Sequence, residues 1–211
     1  MKKVVLLFIL FVFSLSQADA QEFHFIPRIG LNLANTYPES FADMRPGLNI
    51  GVAEEIRFSK LFALEPGVYY SMQGYQYKYK GETSKLDIDY LNIPIYAKFY
   101  LYRGFHLFAG PQVGFNVRAK ASNYIFVSGP TPVHQSEYDF SGDKKEEIRN
   151  CDFSVSMGLG YTFDMGLVIS ANYNLGCTHF FKEPEYSFGG SNHFRGKDHN
   201  GIIQFNLGWR F

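Results

Sequence analysis

Residues 201–211 read Gly201-Ile-Ile-Gln-Phe-Asn-Leu-Gly-Trp-Arg-Phe211, and this stretch decides which folds the chain can support. Large apolar side chains alternate there with small or polar ones, and this period of two predicts a β-strand. The apolar positions are Ile203, Phe205, Leu207, Trp209 and Phe211. Such a strand fits a soluble sheet, which buries its apolar face, and equally a membrane barrel, which turns that face to lipid. The other strands must decide between the two.

The same alternation predicts seven further strands. Their approximate ranges are 23–33, 47–58, 61–76, 86–100, 105–119, 151–163 and 167–179. The composition agrees with an all-β chain, because aromatic residues reach 18% and there are 20 glycines. With residues 201–211 the count of predicted strands is even, as bacterial membrane barrels require.

The connections between these strands alternate in length. Short turns are predicted at 59–60, 102–104 and 164–166, and long polar loops at 35–45, 77–85, 120–150 and 182–200. Short turns on one rim and long loops on the other are typical of outer-membrane barrels. The strands are also long enough for a tilted membrane span, which takes about 9–11 residues. We therefore predict an all-β fold, an eight-stranded antiparallel up-and-down transmembrane β-barrel of the outer-membrane type.

The polar face of the strands favours a membrane barrel over a soluble one. It consists mostly of Gly, Asn, Ser and Gln, whereas the exterior of a soluble barrel carries many Lys and Glu. The titratable residues on this face have both signs, and we expect several to pair in the lumen, because an unpaired buried charge is costly. This predicted lumen charge network comprises Arg28, Glu55, Arg57, Glu65, Lys98, His106, Arg118 and Arg210.

Aromatic residues gather near both ends of the predicted strands, as in the interfacial girdles of membrane barrels. Toward the long loops they are Tyr70, Tyr75, Tyr77, Tyr79, Tyr124 and Tyr173. Toward the short turns they are Phe58, Phe62, Phe99, Tyr102, Phe105, Phe163, Trp209 and Phe211. The two sets predict which parts of the strands lie at the membrane surfaces.

The N-terminal residues have the features of a secretory signal peptide. Met1-Lys-Lys3 is basic, Val4 to Phe13 is apolar, and Ala18-Asp-Ala20 is a small-residue cleavage site. We expect residues 1–20 to be the signal peptide and 21–211 to be the barrel domain. Lys plus Arg and Asp plus Glu number 20 each, which gives no electrostatic argument for a nucleic-acid partner.

Five segments, taken in order, carry a family resemblance: Ile29-Gly-Leu-Asn-Leu33, Leu64-Glu-Pro-Gly-Val-Tyr-Tyr-Ser-Met-Gln-Gly74, Tyr90-Leu-Asn-Ile-Pro-Ile-Tyr-Ala-Lys98, Ala109-Gly-Pro-Gln-Val-Gly114 and Tyr173-Asn-Leu-Gly176. Together they resemble the PorT-type outer-membrane β-barrel proteins of the Bacteroidetes. The resemblance implies a barrel in the outer membrane of a Gram-negative bacterium and no catalytic residues. A few members resemble components of a protein secretion or gliding apparatus. Trp209 and Phe211 resemble the C-terminal signal that the barrel assembly machinery reads.

The side chains that could carry chemistry are few. Cys151 and Cys177 fall on the outward register, nearly opposite each other on neighbouring strands, and two interpretations stay open. They are either inert thiols at the lipid boundary or a cross-strand disulfide. His179, His193 and His199 match no metal-ligand spacing, and no paired serine and histidine can be read from the sequence. We expect no catalytic site, cofactor or metal.

Three functions are compatible with these features. The first is a non-enzymatic barrel with a structural or surface-interaction role, whose long loops meet an extracellular or envelope protein, including an accessory role in a secretion apparatus. The second is a conduit for small solutes or apolar compounds, which needs an opening that eight strands rarely leave. The third is an enzyme that modifies membrane lipids. Besides the unknown protein partner, the expected partners are outer-membrane lipid and the barrel assembly machinery.

Overall fold

A computed structural model describes residues 22–37, 44–79, 82–122, 125–128, 136–139, 142–143, 145–146, 148–179 and 199–211. The strands are β1 (Glu22–Tyr37), β2 (Arg45–Arg57), β3 (Phe62–Tyr79), β4 (Glu82–Tyr102), β5 (Phe105–Ser122), β6 (Ile125–Ser128), β7 (Ser136–Asp139), β8 (Gly142–Asp143), β9 (Cys151–Thr162), β10 (Leu167–Gly176) and β11 (His199–Trp209). Within the described ranges, no helix is both long and apolar enough to cross a membrane. The predicted signal peptide lies outside these ranges and stays a prediction.

Eight of the strands close into an antiparallel barrel. Each of β1 to β4 pairs with the next strand, β5 pairs with β9, and the order continues through β10 and β11. The ring closes between β11 and β1, where Arg28 lies opposite Gly208 and Tyr37 lies opposite His199. The predicted fold class is therefore confirmed. Within the described ranges, the short strands β6 and β7 pair with each other, and β8 pairs with the end of β5.

The alternating residues of each strand point in turn into the barrel and out of it. Along β11, Phe205, Leu207 and Trp209 are exposed on the outer surface, whereas Gln204 and Asn206 are buried. Antiparallel neighbours repeat this pattern because directly opposite residues share a face of the sheet. An apolar outer belt and a polar interior result, which is the polarity expected of a barrel in lipid.

The short turns lie at one end of the barrel. Between β2 and β3, the backbone amide of Phe62 donates a hydrogen bond of 3.0 Å to the Ser59 hydroxyl, and this bond closes the turn. Between β4 and β5, Arg103 has a φ of 49°, and between β9 and β10, Gly166 has a φ of 99°. This end, which we call the short-turn end, is the periplasmic end in outer-membrane barrels. The opposite end is called the long-loop end below.

The prediction of a long polar loop over residues 77–85 is wrong. The pairing of β3 with β4 continues without a break until Tyr79 lies opposite Glu82. The segment reads as a loop because Lys and Glu are uncommon in strands that have one buried face. That rule does not apply where a hairpin rises beyond the lipid, because water can then reach both of its faces.

Candidate functional site

Four charged side chains meet inside the barrel near the short-turn end. Arg28 on β1 donates from both terminal nitrogens to the two carboxylate oxygens of Glu65 on β3, each at 2.6 Å. The ammonium of Lys98 on β4 donates to the same carboxylate at 3.0 Å and also to Glu55 on β2. All four side chains are almost completely buried, and they carry two charges of each sign. We call these four residues the charge cluster.

Two further residues extend the charge cluster toward the short-turn end. The Tyr100 hydroxyl donates to Glu55 at 2.5 Å, and a terminal nitrogen of Arg57 lies 3.4 Å from the other oxygen of that carboxylate. The Arg57 guanidinium also stacks 4.1 Å above the Tyr100 ring. Five of the eight residues predicted for the lumen network thus contact one another: Arg28, Glu55, Arg57, Glu65 and Lys98.

The other three predicted members have different surroundings. His106 is buried, but its Nδ1 lies 3.0 Å from the Gly104 carbonyl oxygen, and its ring packs 5.0 Å from that of Tyr100. Arg210 is half-exposed beyond the end of β11, where its backbone amide donates to the Gly166 carbonyl at 2.7 Å. Among the contacts of the described residues, its side chain does not join the charge cluster.

The prediction that Arg118 faces the lumen is wrong. Asp89 lies opposite Arg118, but the next residue, Tyr90, lies opposite Asn116, so Val117 is an extra residue in β5. Such a β-bulge inverts the alternation beyond it. The Arg118 side chain is 52% exposed on the outward side of the sheet, and one of its terminal nitrogens lies 3.4 Å from the buried Asp89 carboxylate. Periodicity counted through the whole strand could not reveal this change of face.

A chain of hydrogen bonds between side-chain amides crosses the middle of the barrel. Asn49 donates to Asn206, Asn206 to Asn172, Asn172 to Gln204 and Gln204 to Asn32, at 2.8–3.1 Å. We call these five residues the amide layer. Gly30 leaves room for it, because a Cβ there would lie 2.2 Å from the Asn206 oxygen. The sequence placed these residues on the polar face, but it did not show that they bond to one another.

Toward the long-loop end the interior becomes apolar. Seven buried residues pack there, and we call them the apolar cap: Tyr75, Leu86, Ile88, Tyr90, Ala119, Ala121 and Ile148. Tyr75 was predicted to belong to the outer aromatic girdle, but it is only 5% exposed, because it lies on the same register as the inward-facing Ser71 and Gln73. Ile148 comes from the segment between β8 and β9 and is fully buried. This segment therefore helps to close the long-loop end.

Between the charge cluster and the amide layer, little space remains. A cavity of about 10 Å³ lies there, lined by Arg28, Tyr69, Tyr96, Phe108 and members of the amide layer. That volume holds about one water molecule. Charged, amide and apolar layers thus fill the barrel interior at successive heights.

Cys151 and Cys177 are both free and exposed. The expectation that they lie nearly opposite each other is wrong by two residues. The amide of Cys177 donates to the Phe153 carbonyl at 2.8 Å, so Cys177 faces Phe153 and not Cys151. A diagonal offset of this kind separates Cα atoms by more than disulfide geometry normally allows. The structure therefore agrees with the interpretation of two separate thiols and not with a cross-strand disulfide.

Two histidines pack against each other where β10 ends and β11 begins, but they do not form a metal-binding arrangement. The rings of His179 and His199 pack with centroids 4.4 Å apart. Nearby, Asp152 accepts a short hydrogen bond from the Thr178 hydroxyl. In the described part of the chain, no three His, Cys, Asp or Glu side chains are placed to hold a metal ion. His193, which was considered with these histidines, lies outside the described ranges.

Comparison with known proteins agrees with this geometry. The sequence model of the family described as outer membrane protein beta-barrel domain matches residues 16–192. The chain belongs to this family. It is therefore an outer-membrane β-barrel protein, which confirms the predicted location at this level. Among curated proteins, none matches the sequence.

Solved structures of small outer-membrane barrels are similar in fold. Neisserial surface protein A has a TM-score of 0.52 and 13% identity, with 92% of this chain and 100% of that chain covered. Ail of Yersinia pestis, solved with the heparin analogue sucrose octasulfate, has a TM-score of 0.47 and 13% identity, with 90% and 99% covered. At these identities the likeness concerns the fold alone.

Proposed function

We propose that this protein is a closed, non-enzymatic barrel of the outer membrane that presents its long-loop end to an extracellular or envelope protein. The observation that carries the proposal is the filled interior. Among the described residues, the cavity between the charge cluster and the amide layer has a volume of about 10 Å³, which is far too small for a solute. An axial conduit is correspondingly disfavoured.

The strands at the long-loop end support a role in contact with a partner. β9 begins at Cys151, opposite Phe115, whereas β5 continues to Ser122, and β3 and β4 stay paired up to Tyr79 and Glu82. Seven further residues of β5 correspond to about 20 Å of extended chain. Three adjacent strands thus project past their neighbours, and such a sheet can present side chains and backbone to another protein.

The narrower parts of the proposal follow from the sequence. Residues 1–20 direct export and are removed, so that the mature chain starts at Gln21. Trp209 and Phe211, both exposed on the outer surface, serve as the signal for the barrel assembly machinery. The resemblance to PorT-type proteins supports a secretion or gliding apparatus as the place to search for the partner. Intact-mass measurement of the purified protein tests the start at Gln21.

Two measurements test the main proposal. Planar-bilayer recordings of the purified chain should show no large, stable conductance, and such a conductance would favour the conduit instead. A photo-crosslinker at Lys85 on β4, exposed at the long-loop end, should capture a defined protein on living cells, while the same group at Lys60 in a short turn should not capture it. Equal capture from both ends would contradict a partner at the long-loop end. Altered lipid composition after expression would instead favour an enzyme.

A further inference from the structure

The bulge at Val117 places two basic residues on the outer surface of the barrel. Beyond it, Ala119 and Ala121 face the interior as members of the apolar cap, so the alternating Arg118 and Lys120 face outward. Both are exposed, and half of the Arg118 side chain is open to the surroundings. Without the extra residue, both cations would point into the lumen.

These cations lie directly above the apolar belt. On β4 and β5 the belt runs from the pair Phe99 and Leu107 to the pair Leu91 and Phe115. Eight residues at about 3.3 Å each, tilted by about 40°, span about 20 Å. That is close to the apolar height of a membrane barrel, about 25 Å. The next outward position on β5 is Arg118, which therefore lies at the level of the outer-leaflet headgroups.

Arg118 is held in place by a buried carboxylate. Asp89 lies directly opposite it and is fully buried, although it belongs to the outward register. The Tyr70 hydroxyl donates to Asp89 at 2.7 Å, and a terminal nitrogen of Arg118 lies 3.4 Å from the same oxygen. One edge of the guanidinium is thus directed toward Asp89, while half of the Arg118 side chain is exposed and can be reached by a ligand.

A third cation lies beside the bulge. The Lys145 ammonium donates to the carbonyl oxygen of Val117 at 3.3 Å, and its side chain is exposed. Lys145 belongs to the segment after β8, and β8 itself pairs with Lys120 and Ala121. The bulge and this segment together bring Arg118, Lys120 and Lys145 to one place.

Neighbouring carboxylates only partly balance these charges. Asp89 is buried, and Asp87 forms an ion pair with Arg45 at 2.8 Å. Asp143 is exposed and accepts the backbone amide of Lys145 at 3.0 Å. The segment after β8 adds the exposed Glu146 and Arg149, so that among the described residues here five cations, counting Arg45, exceed four carboxylates by one. The charge that remains exposed next to the belt is therefore mainly positive.

We propose that Arg118, Lys120 and Lys145 bind the phosphate of an outer-leaflet lipid headgroup, with Asp89 as the positioning residue for Arg118. A guanidinium offers parallel donors that match phosphate oxygens, and an ammonium adds a point charge. A lipid is favoured over free phosphate because the cations stand at the upper edge of a surface that acyl chains cover. This binding site is independent of the protein partner proposed above.

The test uses the full chain in detergent micelles and native mass spectrometry with a diphosphorylated glycolipid. The same lipid without phosphate is the comparison, and inorganic phosphate is the competitor. The double variant Arg118→Gln, Lys120→Gln should bind the phosphorylated lipid roughly 30-fold more weakly, which is about 2 kcal/mol for two charges. The matched control is Lys60→Gln, Arg103→Gln at the short-turn end, which should bind like the wild type.

The Asp89→Asn variant separates positioning from folding. It should weaken binding of the phosphorylated lipid and leave binding of the dephosphorylated lipid unchanged. It should also keep the wild-type midpoint of urea unfolding. The Asp89→Glu variant, which keeps the carboxylate, should bind the phosphorylated lipid with the wild-type affinity. Equal binding of the two lipids, or equal losses in the Arg118 and control double variants, would overturn the proposal. Displacement of the lipid by inorganic phosphate at equal concentration would show a free-anion site instead and would also overturn it.

Discussion

Glu65 is the carboxylate on which the charge cluster most depends, and Glu65→Gln tests that dependence. Glu65 accepts two hydrogen bonds of 2.6 Å from Arg28 and one of 3.0 Å from Lys98, and it is 2% exposed. Glutamine has nearly the same shape but no charge, and its amide nitrogen would face donors. The variant leaves Arg28 and Lys98 buried with Glu55 as the remaining carboxylate of the cluster.

The expected cost follows from this imbalance. Removing one partner of a buried ion pair typically destabilises a protein by about 3–5 kcal/mol, because the other charge stays buried without compensation. We therefore expect Glu65→Gln to lower the free energy of unfolding by that amount. Urea titration of the chain folded into lipid vesicles measures it. In a Lys98→Met background the cost should be smaller, because one fewer cation is left unbalanced.

A matched control is available on the barrel surface. Glu22 lies 3.7 Å from His24, and its side chain is 72% exposed. An exposed pair of this kind contributes about 0–1 kcal/mol, so Glu22→Gln should leave the unfolding curve nearly unchanged. If Glu65→Gln behaves like Glu22→Gln, the charge cluster does not stabilise the barrel and the reasoning fails.

Three further predictions concern other parts of the barrel. Gly74→Ala should lower the free energy of unfolding by at least about 1–3 kcal/mol, because φ is 112° there and the new Cβ would lie 1.9 Å from a carbonyl oxygen of β4. Urea unfolding that matches the wild type would contradict this. Ile148→Ala should lower it by about 2–5 kcal/mol, since the side chain is fully buried in the apolar cap; a loss below about 1 kcal/mol would mean that Ile148 does not seal the interior. In a chain whose two native cysteines are replaced by serine, a membrane-impermeant maleimide should label Lys85→Cys at the exposed long-loop end on intact cells but not Lys60→Cys in a short turn, and the opposite pattern would reverse the orientation.

The sequence predicted the barrel because lipid imposes one rule on every strand. Each outward position between the headgroups must be apolar, so the alternation in residues such as Phe205, Leu207 and Trp209 repeats in strand after strand. The short turns are equally readable, because tight connections need few residues. Pairing of β1 with β11 follows as well, since no edge can stay open in lipid. These features depend on local pattern and on the solvent.

The other features depend on the register between strands, and this register cannot be read from a single sequence. Arg118 was assigned to the lumen because one extra residue, Val117, does not interrupt the apolar pattern around it. The amide layer joins residues such as Asn49 and Asn206, which are 157 positions apart. The hairpin of β3 and β4 beyond the lipid was taken for a loop because water, and not lipid, sets its composition.

The closure of the ring by β1 and β11 has a consequence for how the chain reaches its native state. Arg28 pairs with Gly208, so the first and last strands of the barrel meet only after every intervening strand has been synthesised and exported. Contacts of such long sequence separation carry a large entropic cost and slow folding. Until they form, both terminal strands expose unpaired backbone that can pair with other chains. The barrel therefore requires that folding follow translocation of the whole chain, so that a truncated copy lacking either end would be a substrate for aggregation or degradation.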